Sequence, residues 1–251
     1  MNTFSTEWFK AKRRKLYLTP AALLVIQLFW LFWALRDPDP EVIAQGYLLI
    51  LYNAPLINGI MMPTIMAVLA SRLADVEHKG QTFKLLNTLQ RPSSLYWAKA
   101  GCGATYILGF CLIQITMLLL MGRVLGYTDS PDLWAYGLYF AQTLVISLEI
   151  FLLQLDLSLG VRNQAFSLGV GLCGSMAGLF LMFMPQWPLL RLLTPWGHFG
   201  ATMFVGNMWS AETPVISLYY MPVDWVGCFM ALVGLVLFAV VGRTILARKE
   251  V

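Results

Sequence analysis

The sequence predicts an all-α membrane protein, built as a bundle of six transmembrane helices. Of its 251 residues, 59% are hydrophobic and only 12% are charged, against roughly 45–50% and about 25% in soluble domains. A soluble fold of this size could not cover so much apolar surface, whereas lipid removes that need. A spanning helix requires roughly 20 apolar residues. The chain therefore has room for six such helices and for no sizeable soluble domain.

The predicted elements follow one another along a single transmembrane domain, 1–251. Residues 1–15 are expected to form an interfacial helix, because aromatic residues and five Lys and Arg directly precede the first span. A secretory signal peptide is the competing interpretation; it needs a shorter apolar core and a small-residue cleavage site. The remaining predicted segments are spans 16–35, 46–70, 99–121, 133–157, 164–184 and 225–246, a coupling segment 71–98 and an outer loop 185–224.

The distribution of basic residues predicts the orientation. With the N-terminus inside, all of the 17 Lys and Arg residues except Arg36, Arg123 and Arg191 lie on the cytoplasmic side. Short cytoplasmic loops carry such an excess of basic residues. We therefore expect both termini to be cytoplasmic.

The two longest connections have their own patterns. In the coupling segment, Val76, Phe83, Leu86 and Leu89 recur at nearly helical spacing, which predicts a short amphipathic helix that Pro92 stops. The outer loop is rich in Trp, Pro, Leu and Met and has few charges. It is therefore predicted to be a partly apolar hairpin, re-entrant or interfacial.

The fifth span contains a G-x-G-x-x-G string beginning at Gly169, in the middle of an apolar run. A dinucleotide site would need a strand before this string and a helix after it. Close helix packing is the better interpretation. The packing residues would be Gly171, Gly174, Ser175 and Gly178, at an interface within the bundle or between subunits.

Three polar residues at membrane depth form a possible substrate cavity: Asn53, Asn58 and Glu149. A carboxylate there costs several kcal/mol unless it is paired or faces water. Glu149 could instead be protonated, or hydrogen-bonded to a neighbour such as Gln114 or Gln142. The asparagines flank Pro55, so kinked packing is the alternative for the second span.

No catalytic residues and no metal site are predicted. The four cysteines lie in apolar runs without metal-ligand spacing, and the two histidines, His78 and His198, fall on opposite predicted sides of the membrane. The chain has no P-loop. We therefore expect a chain that is not an enzyme and has no cofactor of its own, so that any ATP-driven work requires a partner.

The coupling segment resembles the corresponding loop of ABC-2-type transporter permeases. The residues that match the motif of this family are Glu77, Gly80, Leu85, Leu86, Pro92 and Lys99. The order of the predicted elements is similar along the whole chain. The size of the chain and the Trp-Phe-Lys string near its start are most similar to the lantibiotic-immunity branch, whose permease subunits protect bacteria from antimicrobial peptides.

This resemblance implies a bacterial cytoplasmic membrane protein that exports amphipathic antimicrobial peptides with two kinds of partner. A separate cytoplasmic ABC ATPase dimer would bind ATP and Mg²⁺, and a second permease subunit, identical or related, would complete a dimer. The resemblance also implies which residues couple to the ATPase: Glu77, Gly80, Phe83, Lys84, Leu85, Leu86 and Arg91. The alternatives are an ABC-2 exporter of another lipid or hydrophobic substrate, and a membrane sensor or scaffold that transports nothing.

Overall fold

A computed structural model describes residues 3–36, 43–80, 92–161, 163–184, 186–209 and 216–248. It confirms the predicted all-α fold with six helices that are long and apolar enough to cross a membrane. A short helix, α1 (Thr3–Arg13), precedes them. The six long helices are α2 (Leu18–Leu35), α3 (Gly46–Gly80), α4 (Pro92–Val124), α5 (Leu133–Gly160), α6 (Gln164–Met182) and α9 (Trp225–Arg248).

The segment between α6 and α9 contains shorter elements and one hairpin of strands. These elements are α7 (Pro188–Leu193), α8 (His198–Ala201), β1 (Val205–Trp209) and β2 (Ile216–Tyr220). The strands pair antiparallel, with Val205 opposite Tyr220. The α8 helix is buried, so this segment folds back against the bundle. We call 186–209 together with 216–224 the outer segment.

Two helices differ in length from the predicted spans. Helix α3 continues to Gly80, ten positions beyond its predicted end, because 71–79 contains neither proline nor glycine. Helix α4 begins at Pro92, since proline is favoured at the first helical position, where no N–H is needed. The amphipathic helix predicted around Phe83 and Leu86 lies outside the described residues.

Helices α3 and α5 form the interior of the bundle. Helix α5 packs against α3, α4 and α9, and most of the apolar side chains of α3 are buried. Helices α2, α6 and α9 instead expose large apolar side chains along much of their length, for example Phe29, Phe180 and Phe229. Such a surface is stable where the solvent is lipid.

Close packing of α6 depends on the small residues singled out in the sequence. A Cβ at Gly171 would meet Ala67 of α3, and one at Gly174 or Gly178 would meet Trp196 of the outer segment. The Ser175 hydroxyl donates to the carbonyl oxygen of Gly171 at 2.9 Å. In the described structure, these residues therefore bring elements of one chain together.

Candidate functional site

Four charged side chains form a buried cluster where α1, α3 and α4 meet. We call Glu7, Lys10, Glu77 and Lys99 the ion cluster. Lys99 Nζ lies 2.7 Å from Glu7 Oε2 and 3.2 Å from Glu77 Oε1. Lys10 Nζ lies 2.6 Å from Glu7 Oε1 and 3.0 Å from Glu77 Oε1. Two cations thus face two carboxylates, and the cluster has no net formal charge.

The surrounding helices explain how these charges can be buried. Lys99 is fully buried, and its ammonium group also donates to the carbonyl oxygen of Leu73 at 3.0 Å. All three of its N–H donors are therefore accommodated, as a buried ammonium requires. Helix α1 is held on α4 by stacking of Trp8 on Tyr106, with ring centroids 5.1 Å apart.

Lys10 is the most exposed member of the ion cluster. Partial burial alone would lower the pKa of its ammonium group. Hydrogen bonding and attraction from Glu7 and Glu77 outweigh that effect, so the pKa is raised above its ordinary value. Lys10 therefore stays charged.

The ion cluster contains two residues of the sequence motif, Glu77 and Lys99. Glu77 is only 1% exposed, so its carboxylate faces the lysines and not the surface. Gly80 ends α3. The other predicted coupling residues, Phe83, Lys84, Leu85, Leu86 and Arg91, lie outside the described residues. Sequence reasoning missed Glu7; the available signal was a lone acidic residue in an otherwise basic helix.

Asn58 is the centre of a second buried network, at membrane depth. Its side-chain oxygen accepts hydrogen bonds from Gln27 of α2 and from Gln114 of α4, the latter at 2.7 Å. Its amide nitrogen donates to the hydroxyl of Tyr139 on α5 at 2.7 Å and to that of Thr143 at 3.4 Å. One side chain thus links four transmembrane helices.

Asn53 behaves differently, although it lies on the same helix. Its side-chain nitrogen donates to the carbonyl oxygen of Leu49, one turn earlier in α3, at 2.9 Å. This bond therefore lies within α3 and connects Asn53 to no other element.

Glu149, in the middle of α5, pairs with a residue of the outer segment. Its Oε2 atom lies 2.7 Å from Nδ1 of His198, and the carboxylate is only 1% exposed. The predicted neighbours bond elsewhere: Gln114 donates to Asn58, and the Gln142 side chain lies 3.6 Å from Cys228 Sγ. Sequence reasoning had placed His198 in the outer loop, on the opposite side of the membrane from His78.

The second bond of the His198 ring constrains the proton content of this pair. Nε2 lies 2.9 Å from the carbonyl oxygen of Leu192, which can only accept, so Nε2 carries a hydrogen. One further proton then lies between Nδ1 and the Glu149 carboxylate. The pair has no net charge whether that proton is on the ring or on the carboxyl group.

Sequence reasoning also missed Asp156, a second carboxylate buried on α5. Its Oδ1 atom accepts a hydrogen bond from the Tyr96 hydroxyl at 3.1 Å. Two glycines of α9 make space for the two carboxylates of α5: a Cβ at Gly234 would overlap Glu149, and one at Gly242 would overlap Asp156. The two carboxylates are seven positions apart on α5, and the two glycines are eight positions apart on α9. This similar spacing was the available signal.

A cavity of about 510 Å³ lies between α3, the end of α6 and the outer segment. Six of its lining residues are Tyr52, Leu56, Met182, Arg191, Met203 and Asp224. Asn53, Asn58 and Glu149 do not line this cavity, and each of them has different hydrogen-bond partners among the described residues. Within the described ranges, no three His, Cys, Asp or Glu residues are grouped to hold a metal ion.

Six long apolar helices preceded by a short helix with a basic last turn define the class of multi-pass membrane proteins. A family model described as "ABC-2 family transporter protein" matches residues 3–178, from α1 into α6. The match covers more than half of the chain, which therefore belongs to the ABC-2 family of transporter proteins. Members of this family form the membrane part of the transporter and are not themselves ATPases. A search of curated proteins finds no match.

Proposed function

We propose that the chain is a permease subunit of an ATP-driven ABC exporter that removes lantibiotics from the bacterial cytoplasmic membrane and so gives immunity or resistance. A separate cytoplasmic ATPase dimer would bind ATP and Mg²⁺, and a second permease subunit would complete the pathway. Both termini would be cytoplasmic. The exposed basic side chains of Lys12, Arg13, Arg14 and Lys15 at the end of α1 suit contact with anionic lipid on that side.

The observation that carries this proposal is the ion cluster. ATP binding by a partner can change the bundle only through a contact whose free energy differs between two conformations. Glu77 and Lys99 lie on either side of 81–91, and their side chains are 3.2 Å apart. The two helices that flank the segment proposed to bind the ATPase are thus joined to each other and to α1 by the ion cluster.

The peptide substrate is inferred from the family branch that the sequence resembles and from the outer segment. Lantibiotics are amphipathic and act at the outer face of the membrane. The outer segment, which this proposal assigns to that face, exposes large apolar side chains, including Trp187, Leu189 and Met208. Such side chains suit contact with an amphipathic peptide in the membrane interface.

The test is reconstitution of the chain with its cognate ATPase in proteoliposomes. Lys84→Glu should lower lantibiotic-stimulated ATP hydrolysis by about tenfold, the effect of losing one charge-assisted contact, while the thermal stability of the bundle is unchanged. Arg123→Glu is the matched control, because Arg123 is exposed at the end of α4 and lies outside the coupling segment. It should leave stimulation unchanged.

Three results would contradict separate parts of the proposal. Full transport by Lys84→Glu at normal expression would remove the coupling assignment. Purification that never recovers an ATPase with the chain would remove the ABC partnership. Deletion of the gene with no change in sensitivity to a panel of lantibiotics would remove the peptide substrate.

A further inference from the structure

The cavity beside the outer segment contains a cation whose partner is missing among the described residues. Arg191 lines it, and the Nε atom of Arg191 is buried without a hydrogen-bond partner in the part of the chain that the structure describes. No ion pair between described residues includes Arg191. A buried donor without an acceptor costs free energy, more so when it carries charge. Arg191 thus lines the cavity with no acceptor for its guanidinium group among the described residues.

The surroundings of Arg191 indicate the kind of molecule that supplies the acceptor. Helix α7 exposes Leu189, Leu190 and Leu193, which are 47–70% exposed. A short helix with leucines outward and an arginine on its other side is typical of the membrane interface. Arg191 would then lie at the depth of lipid headgroups.

The shape and lining of the cavity are also informative. Its volume of about 510 Å³ is in the range of small-molecule sites. Leu56, Met182 and Met203 give the same cavity an apolar part of its lining. A ligand that is complementary to both the guanidinium group and the apolar lining has an acidic head and an apolar tail.

We propose that this cavity binds the phosphate group of an anionic phospholipid, and that Arg191 is the residue that recognises it. Guanidinium groups bind phosphate oxygens through paired N–H donors. The proposal concerns binding at this cavity and does not depend on which substrate is exported.

Asp224 is the acidic residue that lines the same cavity, and its environment is compatible with an anionic ligand. Its Oδ1 atom accepts a hydrogen bond from the backbone N–H of Gly227 in the first turn of α9, at 3.0 Å. The carboxylate therefore caps the N-terminus of α9, where negative charge is favoured. Its repulsion of a phosphate is thereby reduced.

The test is lipid binding to the full-length protein in non-ionic detergent, followed by native mass spectrometry. The probes are phosphatidylglycerol and phosphatidylcholine with identical acyl chains. The unsubstituted chain should bind one phosphatidylglycerol at a concentration about tenfold lower than phosphatidylcholine, because the ammonium group of phosphatidylcholine is repelled by the guanidinium group beside its phosphate. Arg191→Gln should abolish this preference, and Arg191→Lys, which keeps the charge but not the paired donors, should retain part of it.

Arg123→Gln is the matched control, because Arg123 is exposed at the end of α4 and does not line the cavity. It should bind as the unsubstituted chain does. Leu56→Trp adds bulk that fills the apolar part of the cavity and leaves Arg191 in place. It should also weaken phosphatidylglycerol binding.

Two outcomes would overturn the proposal. One is an unchanged preference for phosphatidylglycerol in Arg191→Gln, provided that the variant elutes as the unsubstituted chain does in size-exclusion chromatography. The other comes from a headgroup-only arm with soluble glycerol phosphate. If this compound competes with the lipid at equal concentration, the site recognises a free phosphate compound and not a membrane lipid.

Discussion

Nδ1 of His198 lies 2.7 Å from Oε2 of Glu149, so a histidine of the outer segment reaches a carboxylate in the middle of the central helix. This contact joins residues 49 positions apart in the sequence. It fastens the outer segment to α5 where neither partner has access to water. The bond is therefore expected to contribute strongly to the position of the outer segment.

A double-mutant cycle tests the Glu149–His198 pair. Glu149→Leu or His198→Leu alone should lower the free energy of unfolding by about 3 kcal/mol, since each leaves a buried polar partner unpaired. The double variant should recover most of that loss, because neither polar group remains. Thermal unfolding in detergent measures the effect. Strictly additive losses would show that the two side chains do not interact.

The glycines of α9 provide a second prediction. Gly234→Ala and Gly242→Ala place a Cβ against the carboxylates of Glu149 and Asp156. Each should destabilise the bundle by about 1–3 kcal/mol, the usual cost of overpacking. Gly109→Ala and Gly137→Ala are the matched controls, because an added Cβ at either position has no clashing atom within 4 Å. They should be neutral or slightly stabilising. Equal effects at all four positions would contradict the packing seen here.

Asn58 and Asn53 allow a comparison between two asparagines of one helix. Asn58→Leu leaves the side chains of Gln27, Gln114 and Tyr139 without their common partner. It should therefore cost about 2–3 kcal/mol of unfolding free energy. Asn53→Leu removes only a bond within α3 and should cost less than about 1 kcal/mol. If the order of the two losses were reversed, Asn58 would not be the centre of the network.

The ion cluster predicts that Lys99 holds α1 in place. Lys99→Met leaves two buried carboxylates with Lys10 as their remaining cluster cation, and it should lower the free energy of unfolding by about 3 kcal/mol. Detachment of α1 should also make the bonds near Lys12 and Arg13 more accessible to trypsin. The control Lys12→Met changes an exposed side chain and should alter stability by less than about 0.5 kcal/mol. Unchanged stability of Lys99→Met would remove this role.

The long helices could be predicted from the sequence because hydropathy alone determines which stretches can be buried in lipid. The partners of the buried polar groups could not, because pairing depends on which helices become neighbours. Glu149 was identified as a costly carboxylate, yet its partner His198 lies in a segment that hydropathy assigns outside the spans. Asp156 was overlooked because it lies one residue before the predicted end of its span, where a charged residue is expected.

The ion pair between Glu77 and Lys99 also has an entropic consequence. These residues are 22 positions apart in the chain, and bringing the ends of such a loop together costs about 3 kcal/mol of chain entropy. In the folded bundle this chain entropy has already been lost, before any partner binds. A protein that binds this connection therefore does not have to bring α3 and α4 together, and more of its contact energy is left for affinity.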